Sequence, residues 1–298
     1  MAIYGGVEAG GTKIVCAVGS SPKDILAEIR FPTTTPGETL DRIVNFFHET
    51  TQEKRIHLDG IGIGSFGPLD LNPQSASYGM ITSTPKPNWA FTEIRQTIQD
   101  RTGVRAVLDT DVNAAAIGEG VWGAAQGLNN FVYLTIGTGI GGGFIADGKP
   151  YHGLIHPEMG HFRLARNPLI DPFEGHCPYH KDCFEGLASG PALKARFGQP
   201  AETLPADHPA WDMEADYIAQ ALHTIICITS PERIILGGGV MQQPQIFPLV
   251  RQRTLQSLNG YVQHPEILEN ISQYIVPPAL GNHAGVLGAI ALARQAFN

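Results

Sequence analysis

Cysteine is scarce: four residues in a chain of 298, too few for a disulfide scaffold. No stretch reaches the roughly 18 consecutive apolar residues that a membrane-spanning helix needs. The opening MAIYGGVEAGGTK lacks the basic segment and apolar run of a secretory signal, so a cytoplasmic location is expected. Basic residues are in deficit, with 20 Lys and Arg against 28 Asp and Glu and a formal net charge of −8. Sequence-blind binding to nucleic acid or an acidic membrane surface needs a basic face and is not expected. Charged residues of either sign reach only 16%, whereas hydrophobic residues make up 43%, so the chain builds a sizeable core rather than remaining disordered. Neither a G-x-S-x-G elbow nor a Ser-His-Asp signature is present, which leaves acyl transfer little support.

Glycine, by contrast, is abundant at 35 residues, and a length of 298 suggests two domains or two lobes. Residues 2–7 and 13–18 read as strands around the glycine turn EAGGTK at 8–13. Leu40, Ile43, Val44 and Phe47 follow helical spacing after the start signals Pro36 and Glu38. IGIGSF at 61–66 is a buried strand, 92–102 a helix, and 106–120 a strand, a turn at Asp109 to Asp111 and an alanine-rich helix. The pattern then restarts: FVYLTI at 131–136, the glycine turn GTGIGGG at 137–143, and a returning strand, FIADG. A long helix fits 212–228, IILGGGV at 234–240 echoes the earlier strand, and small residues from Ala284 to Phe297 suit a tightly packed last helix. These repeats predict a duplicated α/β fold of two lobes flanking a cleft, divided near residue 125 into 1–125 and 126–298, with the last helix a candidate to cross back.

Within EAGGTK and GTGIGGG, glycines let backbone N–H groups converge on an anion, and each Thr adds a neutral donor. Two such loops could hold a nucleotide's phosphates, with Lys13 nearby; two ordinary glycine hairpins are the alternative. Gly137, Gly139 and Gly142 satisfy G-x-G-x-x-G, but the dinucleotide fingerprint requires a helix next, where a strand is expected. A P-loop is excluded because Thr12-Lys13 stands in the wrong order.

His161, Cys177, His180 and Cys183 form H-x15-C-x2-H-x2-C. Two thiolates and two imidazoles suit Zn²⁺, and four protein ligands leave no open position, so the site would be structural. His176 competes as a ligand, and a surface loop that merely contains Cys and His is the alternative. Cys16 and Cys227 lie in apolar runs and are expected in the core. Asp109, Asp111 and Asn113 alternate on one strand-to-helix turn. A carboxylate there either accepts a proton from a substrate hydroxyl or caps the helix.

Together EAGGTK, TDVNAAA at 110–116, GTGIGGG, HPEMGH at 156–161 and CPYHKDCFEG at 177–186 resemble the ROK family (repressors, open reading frames and sugar kinases), over essentially the whole chain. With SFGPLD at 65–70 and TSTPKPNW at 82–89, the pattern looks like the family's bacterial, zinc-containing fructokinase branch. The resemblance implies an actin-like, hexokinase-type ATPase fold and an ATP-dependent hexose kinase that phosphorylates the 6-hydroxyl of fructose. Asp111 matches the catalytic base. Asn113, Glu158, His161 and Glu185 match the sugar site, and His161, Cys177, His180 and Cys183 the zinc ligands. Gly10, Gly11, Thr12 and Lys13 match the first phosphate loop, Thr138 and Gly139 the second, and Gly238 with Gly239 the adenosine side. Mg²⁺ with ATP and a homodimer are implied as well. Glu8 stands where many relatives carry Asp, and Thr110 where glucose- and mannosamine-type kinases often carry Asn, which favours a different hexose. Mannose or glucose kinase activity, a non-catalytic sugar-binding protein and a sugar-sensing repressor are the competing readings. The repressor would need a DNA-binding domain ahead of the core, which is not expected here, with the first strand read at residue 2 and a net charge of −8.

Overall fold

The computed structural model describes residues 2–298. Its chain forms two compact units: one holds the chain up to Gly127 together with Gly143–Pro157 and Ala279–Asn298, the other Leu128–Gly142 and Glu158–Pro278. In the first unit β1 (Tyr4–Ala9) and β2 (Lys13–Ser21) make the expected antiparallel hairpin. Its turn contracts to three residues, because Glu8 and Ala9 pair with Val15 and Ile14 and Gly10 N–H donates to the Lys13 carbonyl at 2.9 Å. Glu8 is therefore a strand residue. A second antiparallel partner of β2, β3 (Asp24–Pro32), is not announced by glycine punctuation; it lies at the sheet edge, where mixed exposure blurs the alternation.

Helix α1 (Pro36–Lys54) buries Leu40, Ile43, Val44 and Phe47, as their spacing predicts. Strand β4 (Gly60–Ser65), α2 (Ile94–Thr102), β5 (Ala106–Thr110) and α3 (Asp111–Trp122) follow. Strands β1, β4 and β5 are mutually parallel, and the sheet order is β3-β2-β1-β4-β5. The turn expected at Asp109 to Asp111 contracts to a direct strand-to-helix turn with no separate loop residues, since β5 runs through Thr110 and the helix starts at Asp111.

The second half contributes β6 (Phe131–Ile136), β7 (Ile140–Ala146), β8 (Lys149–Pro150), α4 (Phe184–Ala188) and α5 (Gly190–Phe197). Then come α6 (Ala210–Thr229), β9 (Arg233–Gly237), α7 (Ile246–Leu258), α8 (Pro265–Leu268), α9 (Ile271–Tyr274) and β10 (Ile275–Val276). The second sheet has the order β10-β9-β6-β7-β8, which repeats the first sheet strand for strand when read from β8. This is the duplication the sequence implied. The returning strand begins at Ile140 rather than after Gly143, so Gly142 is a strand residue. Met159 Sδ would lie 2.6 Å from a Cβ there, and a close approach of this kind is where a strand tolerates glycine. Helix α6 buries Ile218, Leu222 and Ile225, while Cys227 and Ile228 fall on the opposite side. Cys227 is thus exposed, contrary to expectation, whereas Cys16 is buried.

The last helix, α10 (Ala284–Phe297), belongs to the first unit. It packs closely on α3: a Cβ at Gly288 would overlap the Ala114 carbonyl oxygen, and one at Gly62 the Ala289 carbonyl oxygen. Small residues thus set this helix–helix and helix–sheet distance. The segment leading into it is fastened by Glu119, a fully buried carboxylate that accepts N–H groups of Ala124 (2.6 Å), Ala279 (3.1 Å) and Leu280 (2.9 Å).

Candidate active site and metal centre

The turn from β5 into α3 gathers the acidic residues of the first unit. Thr110 is the N-cap: its hydroxyl accepts the Asn113 N–H at 3.1 Å, so the capping role falls to neither aspartate. Asp111 opens the helix, accepts the Val112 N–H at 2.9 Å and keeps part of its surface open. Desolvation, and then the negative charge of Glu8, push its carboxyl up to about 6. Glu8 pairs with Lys13 at 3.5 Å, and its Oε2 has no hydrogen-bond partner. Asn113 is buried and donates from Nδ2 to Asp109 Oδ1 at 2.7 Å, which orders the turn. Asp109 also accepts the Thr110 N–H at 2.7 Å and faces His152 Nε2 at 3.1 Å. The hydrogen bond from Asp109 raises the His152 pKa, whereas burial lowers that of His156.

In the first glycine turn, Thr33 holds Gly10 and Thr12 through its hydroxyl (2.7 Å) and N–H (3.0 Å). Gly11 has open space where a side chain would stand, and Thr12 is exposed. The second turn is closed by Gly137 N–H to the Gly139 carbonyl at 2.9 Å, leaving Thr138 exposed. Ile140 N–H donates to Glu185 Oε2 at 3.0 Å, and Glu185 N–H to the Gly160 carbonyl at 2.7 Å. Glu185, on α4, therefore ties the second turn to the segment carrying Glu158 and His161, whose backbones bond at 3.0 Å. After β9, Gly238 takes a φ of +93°, where a Cβ would strike the Ile136 carbonyl oxygen; Gly239 faces open space.

The spaced histidines and cysteines meet. Ligand atoms of His161, Cys177, His180 and Cys183 all lie within 4.8 Å of one another, an arrangement that can hold one metal ion. Cys177 Sγ is 3.8 Å from His161 Nδ1 and 3.7 Å from His180 Nδ1, and Cys183 Sγ is 3.6 Å from His161 Nδ1. His176 is not in the cluster; its N–H instead donates to the Gly186 carbonyl at 2.8 Å. Asp182, between two of the ligands, pairs with Arg163 and Arg166 and braces the loop from outside.

Sequence reasoning missed His152 and His156 as partners of Asp109 and Leu69, and it treated Asp109 only as an alternative to Asp111. His152 lies 43 residues from Asp109, a separation at which no local spacing rule operates.

The sequence profile of the ROK family matches residues 4–296. A fructokinase of Zymomonas mobilis is 44% identical, covering 99% of this chain and 98% of that protein. A fructokinase of Pediococcus pentosaceus is 43% identical, covering 99% of each. Among solved structures, a ROK family glucokinase from Streptomyces griseus in complex with glucose and AMPPNP superposes with a TM-score of 0.76 at 25% identity, covering 98% of this chain and 99% of that one. Two sheets of the same strand order, as in the actin-like ATPase fold, and a match over nearly every residue place the chain in the ROK family.

Proposed function

We propose that this protein is an ATP-dependent fructokinase, transferring the γ-phosphoryl group of ATP to the 6-hydroxyl of D-fructose. Identity of 43% and 44% over the full length with proteins named fructokinase carries the reading. The β5–α3 turn supplies a base that accords with it. Asp111, raised to about 6, is mostly ionised at neutral pH yet closer to it than an ordinary carboxylate, which suits it to take the hydroxyl proton as the oxygen attacks phosphorus. Asn113, Glu158, His161 and Glu185 are assigned to the sugar. Gly10, Gly11, Thr12 and Lys13, with Thr138 and Gly139, are assigned to the phosphates, an assignment supported by the open space at Gly11 and the exposure of both threonines. Gly238 and Gly239 are assigned to adenosine. Mg²⁺ bound with ATP would supply charge neutralisation at the phosphates. Glu8, whose Oε2 lacks a partner, is the carboxylate beside the first turn suited to face it.

Zinc is the ion we assign to the His/Cys cluster. Bonds of about 2.3 Å to sulfur and 2.0–2.1 Å to nitrogen give tetrahedral S···N edges near 3.6 Å. The observed spacings of 3.6, 3.7 and 3.8 Å fit that tetrahedron. His161, Cys177, His180 and Cys183 would hold the ion with no open position, so its role is to brace the loop leading to Glu185. A homodimer and a cytoplasmic location complete the proposal by family resemblance; among the described residues no helix is long and apolar enough to cross a membrane.

The test is ADP release from Mg-ATP by the purified protein, run in parallel on fructose, glucose, mannose and N-acetylmannosamine, with and without a zinc chelator. Turnover on fructose well above the others supports the proposal. Preferential turnover on another sugar overturns the substrate assignment, and turnover on none overturns the kinase reading for these hexoses.

A further inference from the structure

Segment 151–157 follows β8 and leads along the chain into Glu158 and His161. It is exposed at Tyr151, Leu154 and Ile155, yet two of its histidines fasten it to the strand ends within the same unit. His156, buried, accepts the Leu69 N–H at Nε2 over 3.0 Å, just beyond β4. His152 sets Nε2 3.1 Å from Oδ2 and 3.2 Å from Oδ1 of Asp109, near the end of β5. An ionised carboxylate only accepts, so Nε2 carries the hydrogen. The Asn113 amide nitrogen, 3.3 Å from Nε2, is a second donor converging on the same oxygen. Asp109 is 4% exposed, and the His152 imidazole is the side chain set against its Oδ2. Burying a carboxylate is costly unless it is paired and hydrogen-bonded, so this contact is under strong constraint. Both pins lie where β4 and β5, parallel to β1, deliver their carboxyl ends, the edge at which open α/β sheets bind ligands.

We propose that His152 is a positioning residue for sugar binding: by donating to Asp109 it fixes segment 151–157, and with it the point from which the chain runs on to Glu158 and His161. This rests on the fructokinase reading above. The effect belongs to binding rather than to proton transfer. When His152 is lost, Asp109 still accepts the Thr110 N–H and the Asn113 amide, each at 2.7 Å, so the turn carrying Asp111 keeps its own hydrogen bonds.

The experiment compares wild type with His152→Ala, His152→Asn and His152→Gln. Initial rates are measured against fructose at saturating Mg-ATP, and amide hydrogen exchange is followed in residues 151–157. The Gln amide nitrogen reaches about as far as Nε2 and can still donate to Asp109; the Asn amide falls short. Ala and Asn variants are expected to raise KM for fructose by about tenfold or more with kcat within about threefold, and the Gln variant to restore KM to within about threefold of wild type. Exchange in 151–157 is expected to accelerate for Ala and Asn only. An unchanged KM in the Ala variant, a fall in kcat at constant KM, or a Gln variant no better than Ala overturns the proposal. If wild type turns over no hexose, the fructokinase reading fails and the sugar role falls with it. Exchange that stays unchanged in the Ala variant overturns the pin itself, whatever the turnover.

Discussion

Asp111→Asn separates chemistry from folding, because the two should move in opposite directions. The substitution keeps an oxygen for the Val112 N–H while removing the ability to take a proton. General-base catalysis contributes about 10²–10⁴-fold, so kcat at pH 7 should fall by at least about a hundredfold. Stability should not fall. Asp111 is raised from 3.8 to about 6, so the folded state holds its proton more tightly than the unfolded chain. The contribution of Asp111 to stability is therefore greatest below 3.8, is lost as pH rises to about 6, and stays low above it. A rise of this size corresponds to at most about 3 kcal/mol, less because the side chain keeps part of its surface open. Asn carries no charge to desolvate, so the variant should melt at the same temperature as wild type or a few degrees higher at pH 7, with its metal content unchanged. Coupled-enzyme rates and calorimetry on the same preparations decide the matter. A kcat within tenfold of wild type refutes the base assignment, and a lowered melting temperature refutes the desolvation argument behind the raised pKa.

In wild type, kcat/KM for fructose should drop about tenfold per pH unit below about 6, as Asp111 takes up its proton; a profile flat down to pH 5 excludes it as the essential base. Cys183→Ser removes a buried ligand and should abolish stoichiometric zinc in elemental analysis, lowering affinity by more than the about 10–100-fold that outer-shell changes cost. Retention of one zinc per chain in that variant would show that the ion sits elsewhere. Gly288→Ala should destabilise the first unit by about 1–3 kcal/mol or more, because its Cβ overlaps the Ala114 carbonyl oxygen across α3 and α10; urea unfolding midpoints measure it.

The elements with strong local signals were legible. Leu40, Ile43, Val44 and Phe47 fall on one buried face of α1, and Ile218, Leu222 and Ile225 on one face of α6, because helical period alone brings them together. Boundaries at the glycine turns were not. Strand pairing pulled Glu8 into β1 and Gly142 into β7, and pairing is a property of the neighbour strand rather than of the residue. Cys227 sits in an apolar run yet is exposed, since the run is longer than one helix face.

The same division runs through the site. Sequence alone picked out the His/Cys cluster that can hold a metal ion, because Cys177, His180 and Cys183 lie on one short loop. It determined the duplicated α/β class, because the alternation of strands, glycine turns and helices recurs along the chain. Only the tertiary structure decided that Thr110 caps α3, that Glu119 fastens the final segment, and that His152 meets Asp109 across 43 residues. The reason is physical: a ligand loop or a helix face is specified by neighbours a few residues away. A buried carboxylate's partners are instead chosen by whichever donors the packed sheet and helices bring to it.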